Sequence, residues 1–164
     1  MKQIDFDHGT VTGNILGVAL PMLVAQILSL LYNIVDRIYI ARIPSVGTTA
    51  LGAVGLCFPI IVIITAFSNL FGSGGAPLFS INRGKGNIKK AEAIMNTSFS
   101  MLCICGVALM VIGMLFASPI LVLFGASEEG LSYAYPYMMI YLIGIVPSMI
   151  ATGMNPFINA QGYA

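Results

Sequence analysis

The chain has 164 residues, 58% of them hydrophobic and 8% charged, with a net charge of +1. A soluble domain carries roughly 25% charged residues, so this chain lacks the polar groups to cover a globular surface in water. Its balance of seven basic and six acidic residues leaves no electrostatic footprint for nucleic acid.

Four apolar stretches, about 14–40, 50–81, 93–124 and 131–160, fill most of the chain. Each exceeds the ~20 apolar residues that cross a hydrocarbon core as a helix. Only helices and closed barrels satisfy every backbone group in lipid. A barrel would show alternating segments of ~10 residues, whereas runs such as Ile60-Ile61-Val62-Ile63-Ile64 are continuous. The expected fold is all-α, a polytopic membrane protein.

Residues 1–13 form a polar lead in which His8 reads as a solvated surface group, since one histidine makes no metal site. The first stretch is too long for the core of a cleavable signal and should remain as the first membrane helix. It ends near Arg42, where Ile43-Pro44-Ser45-Val46-Gly47 marks a loop. The second stretch contains Pro59 and the cluster Gly72, Gly74 and Gly75, which supply kinks and close packing or simply reflect membrane composition. A loop at Arg83-Gly84-Lys85-Gly86-Asn87 leads through Lys89 and Lys90 into the third stretch. The turn Gly125-Ala126-Ser127-Glu128-Glu129-Gly130 precedes the fourth, which contains Pro136, Pro147 and Pro156. The cysteines Cys57, Cys103 and Cys105 lie in apolar sequence without metal-ligand spacing and read as small buried residues. Lys2, Arg83, Lys85, Lys89 and Lys90 fall on one side of this topology, against Arg37 and Arg42 on the other. The positive-inside rule then puts the N-terminus and the second loop in the cytoplasm.

One charged pair, Asp36-Arg37, sits inside an apolar stretch. A carboxylate there costs ~2.5–3.5 kcal/mol on insertion scales, so it is a functional hypothesis by default. At 100° per residue, Ser29 and Tyr32 fall within ~40° of Asp36, and Gln26 and Asn33 ~60–80° away, making a polar stripe on helix 1. A desolvated carboxylate takes up a proton near neutral pH, binds Na⁺ through its hard oxygens, or attracts a cationic substrate. The competing reading is an interfacial carboxylate neutralised by Arg37, although Ile38-Tyr39-Ile40 continues the apolar run past the pair. Tyr137 and Tyr141, spaced i and i+4 and roughly level with Asp36, suit either stacking on a flat cation or the ordinary aromatic belt. Thr152, Asn155 and Asn159 form a polar face lower on helix 4, and Asn69 lies in helix 2. No paired aspartates, Ser/His set or His/Glu zinc pattern occurs in the apolar stretches, so an enzyme is not expected, nor a metal site or cofactor.

Ala19-Leu20-Pro21 and Asn33-Ile34-Val35-Asp36 resemble the first helix of multidrug and toxic compound extrusion (MATE) transporters. Gly72-Ser73-Gly74-Gly75-Ala76-Pro77 with Gly84-Lys85-Gly86 resembles the end of their second helix and the inner loop. Phe124-Gly125-Ala126 and Asn155-Pro156-Phe157-Ile158-Asn159-Ala160-Gln161-Gly162 resemble their third turn and the end of their fourth helix. The resemblance runs from about residue 14 to the end. It implies four helices of a six-helix N-terminal lobe, in a transporter that exports organic cations across the cell membrane against an H⁺ or Na⁺ gradient. By the same resemblance Asp36 is the cation-coupling residue, with Tyr32 near it. The chain then reads as an N-terminal fragment whose partners are the lipid bilayer and the remaining helices. A flippase for polyprenyl-linked sugars is the nearest alternative, but such proteins line their cavity with several basic residues, and here only Arg37 lies inside a stretch. A non-transporting structural membrane piece is the alternative from another class.

Overall fold

Thr10 opens the first helix, its hydroxyl accepting from the Gly13 amide at 3.3 Å, which satisfies one of the donors a helix start leaves free. The computed structural model describes residues 10–162, so Lys2, His8 and the rest of residues 1–9 lie outside the described residues, while the end of the expected 1–13 segment already belongs to the first helix. Helix α1 spans Val11–Ala41, α2 spans Gly47–Gly84 and α3 spans Ile88–Leu123. Two shorter helices follow, α4 at Glu128–Ile143 and α5 at Ile145–Asn159. Among the described residues every regular element is helical.

The connections are read directly from turn chemistry. Ser45 takes a positive φ of 67° in the first turn, and Gly47 then packs so close to the Ala41 carbonyl that a side chain would collide with it. Gly86 and Gly125 supply the left-handed residues of the next two turns at φ 75° and 93°. Asn87 caps α3 by accepting from the Lys90 amide, and Ser127 caps α4 by accepting from the Gly130 amide at 3.1 Å. Glu128 and Glu129 fall in the first turn of α4, where the helix dipole favours negative charge. The turns are so short that successive long helices run antiparallel. Asp36, Cys57, Tyr137 and Glu128 therefore share one end of the molecule, and Arg83, Lys85, Lys89 and Lys90 the other.

Three helices, Thr12–Ala41, Gly47–Gly84 and Ile88–Leu123, are long and apolar enough to cross a membrane, and α4 with α5 makes a fourth when taken as one span. That fourth span differs from the unbroken stretch of the sequence reading, because it bends by 57° between Ile143 and Ile145. Pro147 explains the position of the break. Its ring nitrogen has no proton to give the carbonyl of Ile143, four residues back, and its ring crowds that carbonyl. The chain yields at Gly144, whose amide bonds Tyr141 at 3.1 Å, and the ladder resumes with the Ser148 amide on Gly144. Pro59, Pro77, Pro119, Pro136 and Pro156 all sit inside helices that continue past them.

The core lies between α2, α3 and the bent pair. Gly72 of α2 crosses Gly153 of α5 with backbone against backbone, so that any side chain at 72 would meet the Gly153 main chain. Small residues at such crossings let membrane helices approach closely, which matters because lipid provides no hydrophobic drive for helix association. Leu102 fills the space on the other side of Gly153, and Met138, Leu142, Ile145 and Met149 line the seam of the bent pair. Phe79 and Phe157 close the basic end edge to face, with ring centroids 5.6 Å apart. Helix α1 stands outside this arrangement. It packs mainly on α2, and none of its described side chains is buried.

Candidate ion and substrate site

Several hydroxyl and amide groups in the long helices are satisfied on their own helix. Thr65 donates to the Ile61 carbonyl at 2.9 Å, Ser68 to Ile64 at 3.2 Å and Ser80 to Ala76 at 3.0 Å, the usual way of placing a polar group at membrane depth. Asn33 behaves likewise, giving its amide to the Ser29 carbonyl at 2.8 Å. Among the described residues, no hydrogen bond ties down the side chains of Asp36, Tyr32 or Gln26. Arg37 is the next residue after Asp36 and projects from a different side of the helix.

Near one end of the bundle the stripe on α1 comes within electrostatic range of α4, although α1 packs mainly on α2. The charged groups of Asp36 and Arg37 and the phenol of Tyr32 all lie within electrostatic reach of the Tyr137 hydroxyl. Tyr141, one turn further along α4, is coupled in turn to Tyr137. The two tyrosines are held by the neighbouring face of α4, where Ala134, Met138 and Leu142 are buried. Cys57 fixes the height of this part of α4, its thiol donating to the Ala134 carbonyl at 3.7 Å. The arrangement thus joins one carboxylate, one guanidinium and three phenols from two helices, on the surface of the bundle that α1 flanks.

Of the residues singled out from sequence, Asp36 and Tyr32 lie within electrostatic reach of Tyr137, and Tyr141 is near Tyr137 alone. Gln26 lies apart, because ten residues of helix separate it from Asp36 by about 15 Å along the axis. Asn33 lies beside the cluster with its amide directed to its own backbone. Asn155 and Asn159 pair with each other at 2.9 Å at the opposite end of the molecule. The sequence reading missed Cys57 as the residue that seats α4. Its signal was weak, a small apolar side chain at a helix crossing that only a contact can reveal.

The MatE family model matches residues 21–164. This chain belongs to that family. The MatE match takes in Asp36, Tyr32 and the whole of α2–α5. The chain is 28% identical over 141 residues to the FAD transporter of Shewanella oneidensis, covering 84% of this chain and 30% of that protein. It is 27% identical over 157 residues to the multidrug export protein MepA of Staphylococcus haemolyticus, covering 96% and 34%. It is 29% identical over 131 residues to the probable multidrug resistance protein YoeA of Bacillus subtilis, covering 74% and 28%. The chain therefore spans about a third of the length of the curated relatives it matches. No solved structure matches it. With the MatE assignment and its apolar helices, the chain is a multi-pass membrane protein.

Proposed function

We propose that this chain forms part of a cation-coupled antiporter that exports organic cations across the cell membrane, with its N-terminus in the cytoplasm. The reading rests on Asp36 and Tyr32 of α1 lying within electrostatic reach of Tyr137 of α4, with Tyr141 one turn further along the same helix. The names of MepA and YoeA support drug export for the whole protein. Asp36 is the coupling group. Its carboxylate takes up H⁺ or holds Na⁺ as the counter-ion, and the change in charge in a low dielectric biases two arrangements of the helices. Tyr32, Tyr137 and Tyr141 offer ring faces to a flat cation, and Asn33 and Gln26 line the approach along the stripe. The chemistry is binding and release, with no covalent step, so the protein acts as a transporter and not as an enzyme. Export needs the further helices, because alternating access requires two repeats rocking around a shared site.

The test is ethidium efflux, driven by a proton or sodium gradient, from cells carrying the full transporter with Asp36→Asn. Asparagine keeps the shape but cannot exchange a proton or balance a cation. Coupled efflux should be lost or severely reduced while membrane insertion is normal, and wild-type efflux would remove Asp36 from the mechanism. Residues 1–164 alone should give no gradient-dependent efflux, and robust efflux would point to several copies assembled around a shared pore.

The similarity to a protein named as an FAD transporter favours a second reading, an anionic flavin nucleotide as cargo. Arg37, beside Asp36, is then the group that meets the diphosphate. FAD export that is lost in Arg37→Gln and retained in Asp36→Asn would select that reading over the first.

A further inference from the structure

A cavity of about 480 Å³ lies between α2 and α3 at the basic end of the molecule, far from the Asp36 cluster. Gly74 and Gly75 lie on its floor; a Cβ at Gly74 would face open space, whereas one at Gly75 would meet Ser98 and Phe157. Leu70, Phe71, Leu78 and Ile94 make its walls, and Lys90 and Thr97 stand on its α3 edge. The walls are apolar over about two turns of each helix, some 10–12 Å along the axis. One charged group, Lys90, lies along them, on the first turn of α3. Arg83, Lys85 and Lys89 are exposed around the same end.

An organic cation does not fit this place, because Lys90 stands on its edge and Arg83, Lys85 and Lys89 around the same end outweigh Glu92. A soluble anion has no use for a wall of leucine, isoleucine and phenylalanine. The chemistry that suits both parts is an amphiphile with a negative head and a hydrocarbon tail. We infer that this groove seats one acyl chain of an anionic phospholipid, with the phosphate on Lys90 and the neighbouring basic residues at the headgroup level. The charge pattern selects the lipid, since basic clusters at a membrane surface attract anionic lipids. The glycine floor selects the position, since it lets a chain lie against the α2 backbone. Topological charge alone would account for basic residues in the loop, but it asks for no apolar groove beneath them.

The groove permits a test that separates its two parts. A Cβ added at Gly74 meets no neighbouring atom within 4 Å, so Gly74→Leu brings bulk to the groove floor without a clash at its Cβ. Lys90→Gln removes the headgroup contact and leaves the groove. The chain is placed in nanodiscs containing phosphatidylglycerol and phosphatidylcholine, and retained lipids are counted by native mass spectrometry. The unaltered chain should retain phosphatidylglycerol in preference. Lys90→Gln should lower that preference by about fivefold, the effect of one lysine near an anionic surface. Gly74→Leu should abolish retention of the bound lipid while the circular dichroism of the helices is unchanged. Equal retention of the two lipids by the unaltered chain would overturn the inference. So would undiminished phosphatidylglycerol binding by Gly74→Leu, which would reduce the site to diffuse surface charge. Neither outcome bears on Asp36 or on the transport reading.

Discussion

Helix α1 and the α2–α5 bundle have nearly the same composition and opposite structural roles. Leu28 on α1 is 60% exposed, whereas Leu102 on α3 is fully buried. The bundle is held by small-residue crossings and a filled seam. Helix α1 is held by its short turn and by α2, and presents apolar side chains to lipid on most sides and polar ones along a single stripe. In a bilayer the exposed leucines of α1 cost nothing, because hydrocarbon surrounds them either way. The polar stripe is different, since the side chains of Gln26, Tyr32 and Asp36 have no hydrogen-bond partner among the described residues. The comparison teaches that packing is concentrated in the bundle, while the helix beside it carries the carboxylate to which we assign the ion chemistry.

The largest expected effect tests the bundle side. Leu102→Ala removes a packed side chain beside Gly153 and should destabilise the protein by ~2–5 kcal/mol. Leu28→Ala should stay within about 0.5 kcal/mol. Thermal unfolding in detergent with both variants measures the contrast, and equal losses would mean that α1 is integrated into the core. Next comes Gly72→Val, whose side chain meets the Gly153 backbone rather than a side chain able to move. It should cost about 1–3 kcal/mol, the range for overpacking, and the same melting experiment detects it.

A smaller effect of opposite sign is expected at the break. Pro147→Ala restores an amide proton facing the Ile143 carbonyl and should raise stability by about 1 kcal/mol. The bend between α4 and α5 should open as well, lengthening the distance between spin labels at Ser132 and Asn159. An unchanged distance would assign the bend to packing at Gly153 rather than to the proline. The smallest effect on stability is expected at Asp36→Asn, within about 0.5 kcal/mol, in the same variant that should lose coupled efflux. A large loss of stability there would make Asp36 a structural residue and blur the division between helix and bundle.

Orientation supplies a check outside this comparison. Cysteines placed in the 83–90 loop should resist membrane-impermeant reagents in intact cells. Ready labelling would reverse the topology and place Asp36 in the inner half of the membrane.

Much of the fold was legible because hydropathy is additive along the chain. The apolar runs, the turn glycines and the caps at Asn87 and Ser127 are local signals, and each acts where it stands. The fourth helix was less legible. Three prolines announced a disturbance in it, but only one coincides with a break, because a proline kinks a helix sharply when the surrounding packing leaves room for the bend. In the candidate site, the spacing of Tyr32 and Asp36 was visible as a stripe. The part played by Tyr137 was open between belt and binding, because its meaning depends on which helix lies opposite.

By itself the sequence determined that this is an all-α membrane protein, that its one carboxylate in an apolar stretch is Asp36, and that its family is MatE. It did so because lipid imposes a strict local rule, that every backbone group be satisfied within its own helix, and leaves a strong mark on composition. Only the tertiary structure decided that α1 stands beside the bundle, that Gly72 crosses Gly153, that Cys57 meets α4, and that Tyr137 rather than Gln26 lies within electrostatic reach of Asp36. Those facts depend on pairs of residues far apart in the chain. They are set by shape at helix crossings, where a missing side chain matters as much as one that is present.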